Sequence, residues 1–270
     1  QAMPSSPMNA MYAYRRVLRD CGRFLAPLSS ALSQLRSLRA QYVSTWGTQS
    51  LVPRKHTPIA DHNIGKMLAG LTLLAMLGWS QTKHAAWIVL ILYELVTGTR
   101  NDEIAGEDTR LQRDSFVPYV DGIELEPTPQ NWARMRNGDH IRGKSAPSKC
   151  DRTNAHWGSK DMWFVLDDTN PQNFAAAWIQ WEINHPCQVS QRKAWPAFSP
   201  KGDNTQFTTR MIHSDFKDIV TTLCGADAHG NHFHDFRATL ATKLVHEGQP
   251  DAVIQALLRW KTPDSIRTYA

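Results

Sequence analysis

Three short stretches of this sequence concentrate residues that can do chemistry. The first, Thr97-Gly98-Thr99-Arg100-Asn101-Asp102-Glu103, stands where a long apolar run ends. The second runs from His229 through His232 and His234 to Arg237, and the third from Leu257 through Trp260 to Tyr269. His234 and Arg237 are three residues apart, so a helix puts them on one face. Arginine is charged at any ordinary pH and offers a planar fork of donors, which suits the paired oxygens of a phosphate. Taken singly these stretches carry little weight, because an arginine after a helix is usually a surface residue and a late tyrosine usually packs. A different chemistry is open to His229, His232, His234 and Asp235. Three imidazoles and a carboxylate so close together form a donor set for zinc or another transition metal. No second cluster with ligand spacing and no H-E-x-x-H helix stands elsewhere, so metal binding is the minor reading.

The elements that must position these stretches are mostly helical. The chain has 270 residues, 41% hydrophobic and 20% charged, which excludes a disordered or collagen-like protein. Its longest apolar runs, 67–79 and 85–96, fall short of the roughly 18–20 residues that span a bilayer, so they are expected to be core helices. The opening residues lack the features of a signal peptide. Four cysteines, Cys21, Cys150, Cys187 and Cys224, stand far apart, which fits free thiols in a reducing compartment.

Helices are expected over 61–77, 82–96, 171–184 with Pro171 as the first helical residue, 206–223, 236–247, 251–259 and 263–269. Residues 110–166 are rich in Gly, Pro, Asn and Asp, with β-leaning runs at 116–120 and 162–166, so a small antiparallel sheet with long turns is expected there. The fold class is mainly α with a small antiparallel β-sheet.

Charge divides the chain. Residues 1–60 hold eight Lys/Arg (Arg15, Arg16, Arg19, Arg23, Arg36, Arg39, Arg54 and Lys55) against Asp20 alone, a net of +7. The other 210 residues hold 22 basic and 24 acidic side chains, a net of −2. Two helical patterns, 11–25 and 28–42, are expected within this basic arm, followed by an exposed linker over 47–58. A domain boundary is expected near Pro58, giving an arm over 1–57 and a larger domain over 58–270. Such an arm supplies sequence-independent attraction to nucleic acid phosphates.

Taken together, the three stretches resemble the boxes of the tyrosine recombinases, the phage integrases and their relatives, over residues 58–269. That family's first box reads T-G-x-R-x-x-E, matched by Thr97, Gly98, Arg100 and Glu103. Its second reads H-x-x-R, matched by His234 and Arg237. Its last segment has a His or Trp followed nine residues later by the nucleophilic tyrosine, matched by Trp260 and Tyr269, with Trp the variant of Cre-type members. Thr99 and Phe236 stand where leucine is common, and both read as packing changes. The family also uses a lysine on a β-hairpin between the boxes. Pro147-Ser148-Lys149-Cys150-Asp151 is similar to the S-K-x-D turn found there, so Lys149 is preferred over Lys144 and Lys160.

The resemblance implies a site-specific DNA recombinase or integrase that breaks and rejoins DNA through a 3′-phosphotyrosine. Arg100 and Arg237 would neutralise the phosphate, Tyr269 would attack, and His234 would assist proton removal. Lys149 would protonate the leaving oxygen, Trp260 would donate its indole N–H to a phosphate oxygen, and Glu103 would orient these groups. No metal or other cofactor is required, because the arginines carry the charge. The implied partner is double-stranded DNA, gripped in part by Arg15, Arg16, Arg19, Arg36, Arg39, Arg54 and Lys55. A homo-oligomer on DNA, the family's tetramer, is also implied, in an intracellular, DNA-associated setting without a membrane. The arm reads as a shortened core-binding domain, and the chain as truncated after the nucleophile, which would impair assembly. A catalytically silent DNA-binding descendant is the alternative, and resolvases and type IB topoisomerases share the chemistry.

Overall fold

The computed structural model describes residues 57–106, 111–145, 161–260 and 266, within a compact unit over 56–270. Its centre is a 17-residue helix. Helix α1 (Asp61–Gly70) continues into a 3-10 turn (Leu71–Leu77), and α2 (Gln81–Thr97) follows. The Ser80 hydroxyl caps α2 by accepting from the Lys83 N–H at 3.1 Å. Nearly every side of α2 is buried, including Trp87, Leu90, Ile91, Leu92 and Tyr93. A helix apolar all round belongs in the middle of a domain. It packs on α5 (Phe174–Asn184) and on α7 (Asp235–His246).

The sheet has four antiparallel strands in the order β2-β1-β3-β4: β1 (Phe116–Val120), β2 (Ile123–Glu124), β3 (His140–Lys144) and β4 (Asp161–Val165). Phe116, Ile141 and Phe164 point toward the core, and Trp163 and Val165 point to solvent. Gly143 pairs with Phe116 and Met162 in register, and a Cβ there would lie 2.8 Å from the Phe164 ring. Glycine is what lets the two aromatic rings close over the strand.

Short helices α3 (Asn101–Ala105) and α4 (Pro129–Arg134) flank β1 in sequence, and α6 (Thr209–Leu223) and α8 (Asp251–Leu257) complete the described set. The fold is therefore mostly helical with one small antiparallel sheet, as the sequence suggests. Some boundaries differ for physical reasons. The expected helix over 61–77 tightens to 3-10 geometry after Gly70, and its apolar run is only partly covered: Leu73, Met76 and Leu77 are exposed. Pro171 lies in a turn, and α5 instead begins after Asn173, whose side chain accepts from the Ala176 N–H at 2.9 Å. Thr208 likewise caps α6, which starts at Thr209, three residues later than the periodicity implies. The helices expected over 11–25, 28–42 and, apart from Ile266, 263–269 lie outside the described residues.

Candidate functional site

The site is built where α2 stops. Gly98 takes φ +54° and gives its N–H to the Glu94 carbonyl at 2.8 Å, which closes the helix in the left-handed conformation glycine tolerates best. A Cβ at Gly98 would lie 2.9 Å from Leu258 and 3.4 Å from the Arg237 Cα. The end of α2 therefore sits directly against α7 and the end of α8. Thr97 and Thr99, both buried, share a hydroxyl contact of 2.7 Å that stiffens the turn.

Arg100 then caps α3, its carbonyl accepting from the Glu103 N–H at 2.8 Å. Its guanidinium stands 3.5 Å from one Glu103 carboxylate oxygen, and the Arg259 guanidinium holds the other. Glu103 is completely buried between them.

Arg237 ties the boxes together. It lies in the first turn of α7, 2% exposed, and donates to the Gly98 carbonyl at 2.6 Å and to the Leu258 carbonyl. The Trp260 ring centre lies 5.4 Å from its guanidinium carbon, a cation–π distance. Burial first, and then the positive charge of Arg100, pull the Arg237 pKa down to about 9. That value still leaves the group charged at neutral pH.

The histidine loop enters α7. Asp235 is buried and accepts from the His232 N–H at 2.7 Å and from the Asn231 side chain at 3.2 Å. His234 occupies the N-cap. The loop's carboxylate thus serves helix entry, and among the described residues no group of His, Cys, Asp or Glu is arranged to hold a metal ion. Cys187 and Cys224 are free thiols, and among the described residues no helix is long and apolar enough to cross a membrane.

A groove of about 710 Å³ opens beside these groups, walled by Arg100, Asn101 and Asp102, by His213 and Lys217 of α6, and by the loop from His229 to His234. Arg100 and Lys217 set two positive charges against Asp102 there, and four histidines line the same groove, a setting that can receive an anion. Arg237, Glu103 and Trp260 lie behind that wall. The structure therefore brings together five of the expected site residues, Arg100, Glu103, His234, Arg237 and Trp260. Lys144 ends β3, exposed and in register with Asp161. Lys149, Lys160, Tyr269 and the arm residues lie outside the described segments. Sequence reading does not single out His213, Lys217 or Arg259. The first two carry a signal, a spacing of four on one face of a helix.

Residues 182–270 match the model of the phage integrase family. Among solved structures, the chain resembles the XerH site-specific recombinase bound to palindromic difH substrate in a post-cleavage complex. That match has 14% identity and a TM-score of 0.50, covering 96% of this chain and 68% of that one. The pre-cleavage XerH–difH complex matches at 14% identity and a TM-score of 0.50, over 92% and 64%. A Tn1549 transposon integrase with a circular intermediate DNA matches at 11% identity and a TM-score of 0.43, over 97% and 80%. At these identities the XerH likeness speaks for the fold, and the chain spans about two thirds of the XerH length. No curated protein matches the chain.

Proposed function

We propose that this chain, whose residues 182–270 match the phage integrase family of tyrosine recombinases, breaks and rejoins double-stranded DNA through a 3′-phosphotyrosine, without a metal. The observation that carries the reading is the meeting of the two boxes: Arg237 bonds the Gly98 carbonyl while Arg100 stands beside the same turn and faces the groove.

A phosphodiester resists attack because its non-bridging oxygens repel an incoming oxyanion. Two guanidiniums held in a partly buried site offset that charge as it grows in the transition state. Arg237 has five N–H donors, and its two carbonyl bonds fix the plane in which the rest are offered. The Tyr269 hydroxyl attacks phosphorus, forming the Tyr–phosphate bond as the bond to the 5′ oxygen breaks. His234, beside Arg100 on the groove, assists loss of the phenol proton. Lys149 gives a proton to the departing 5′ oxygen, and the Trp260 indole N–H donates to a phosphate oxygen. The arm over 1–57, with its net +7, adds phosphate contacts. Copies of the chain assemble on that DNA.

A nicked suicide duplex tests this, because the cleaved strand diffuses away and the enzyme stays attached. The wild-type chain in excess chelator should give a shifted band on a denaturing gel, and Tyr269→Phe should bind DNA without forming it. An adduct that persists in Tyr269→Phe would remove the assignment of the nucleophile.

A further inference from the structure

Arg259 and Asp121 are the non-glycine residues with positive φ among the described segments, at 49° and 52°. Asp121 sits in an exposed hairpin turn, where a short polar side chain takes this conformation readily. Arg259 is another matter. The Trp260 N–H reaches back to the Gln255 carbonyl at 3.0 Å, so α8 ends in a Schellman-type closure. Arg259 occupies the left-handed position of that closure, where glycine avoids a steric penalty. A strained backbone persists when the surroundings hold it there, and such positions gather at working sites.

What holds this one is ionic. The Arg259 guanidinium pairs with the fully buried Glu103, and the carbonyl just before it, that of Leu258, accepts from Arg237. The turn 258–260 is thus gripped from both sides by Glu103 and Arg237, the groups behind the groove wall. Glu103 is also the partner of Arg100, at the longer distance of 3.5 Å. Without Arg259, that carboxylate would draw the Arg100 guanidinium inward and away from an incoming phosphate.

We propose that Arg259 is a positioning residue of the phosphate site: it occupies Glu103 so that Arg100 stays turned to the groove, and it pins Trp260 against Arg237. The inference rests on the recombinase reading above. It gives a strained arginine a task that glycine could not perform.

The variant to make is Arg259→Gly, which removes the guanidinium and relieves the backbone. Thermal stability should fall, because the buried Glu103 loses its nearer partner even as the backbone strain is relieved, while affinity for the target duplex per folded molecule should stay within about twofold, since few phosphate contacts are touched. The single-turnover rate of covalent adduct formation should fall on the order of 10²-fold, the scale of a small misplacement at a reacting centre. Added guanidinium ion should restore part of the rate, and ammonium at the same concentration should not. In a Glu103→Gln background the same change should have little further effect. Wild-type cleavage by Arg259→Gly would overturn the inference and leave the recombinase reading standing. If the wild-type chain forms no adduct at all, that reading falls and this one with it.

Discussion

Two clusters of arginine and glutamate lie within the described residues, and they are built to different ends. In the first, Glu182 is clasped by both terminal nitrogens of Arg192 at 2.8 and 2.9 Å. Arg192 spends further donors on the carbonyls of Arg113 and Phe116. Arg113 stands 3.6 Å from the same glutamate and bonds the His185 carbonyl, its guanidinium near the rings of Trp181 and Trp195. All three side chains are at most 1% exposed. The cluster is closed, and it staples the entry to β1 onto α5 and the segment after it. In the second cluster one carboxylate, Glu103, is shared by Arg100 and Arg259, with Arg237 close by. Three guanidiniums here stand around one glutamate, against two in the first cluster, and Arg100 keeps 21% of its side chain exposed on the groove. An arginine buried against carboxylate and carbonyls is architecture. One held beside open space with charge to spare is equipped to meet an anion from outside.

The largest expected effect separates these roles by stability. Arg192→Ala leaves Glu182 buried with the distant Arg113 as its remaining ionic partner, and breaking such a buried pair costs about 3–5 kcal/mol. Urea unfolding monitored by circular dichroism measures it. DNA affinity per folded molecule should not change. A loss under about 1 kcal/mol, the range of an exposed pair, would mean the first cluster is not the staple described.

The next effect separates them by rate. Arg100→Lys keeps the charge but loses the fork, so cleavage of the suicide duplex should fall about 10²–10³-fold, roughly 2.7–4 kcal/mol of transition-state stabilisation. Stability should change by no more than about 0.5 kcal/mol, as is usual for a partly exposed side chain away from the core. Cleavage near the wild-type rate would place Arg100 with the architectural arginines.

The same contrast governs what could be read before the fold was known. The site is legible because its boxes are local: an apolar run, a glycine stop at Gly98, an arginine after it, and His234 with Arg237 at helical spacing. Those short-range patterns translate directly into the end of α2 and the start of α7. The Arg113–Glu182–Arg192 staple has no such pattern. Its members come from a 3-10 turn, the last turn of a helix and a loop, and only tertiary packing unites them. Strand β3, His-Ile-Arg-Gly-Lys, is hidden for a similar reason, since its place is set by pairing with β1 and β4 more than by β-forming residues. Arg259 is the instructive miss. The expected helix over 251–259 ends instead at Leu257, and nothing in a run of Leu-Leu-Arg-Trp announces a left-handed arginine.

The smallest effect concerns the carboxyl behind the site. Glu94 is buried on α2, facing Glu103 of α3, Arg237 of α7 and Arg259 of the turn after α8, and among the described residues neither of its oxygens has a hydrogen-bond partner. Burial, and then the negative charge of Glu103, hold its pKa well above the ordinary 4.5, while Arg237 and Arg259 pull the other way. The folded chain therefore keeps this proton to higher pH than the unfolded chain does. Stability must fall as pH rises past about 4.5, by up to about 1.4 kcal/mol per pH unit, until the folded pKa is reached. Glu94→Gln imitates the protonated form and should abolish that slope. Urea midpoints taken from about pH 5 to about pH 8 should show the variant gaining steadily on the wild type as the solution becomes alkaline. Glu182→Gln, which breaks a clasped pair, should instead lose stability at neutral pH. A Glu94→Gln chain that behaves like Glu182→Gln, less stable at neutral pH, would mean that Glu94 is ionised against Arg237 and that the second cluster is closed after all.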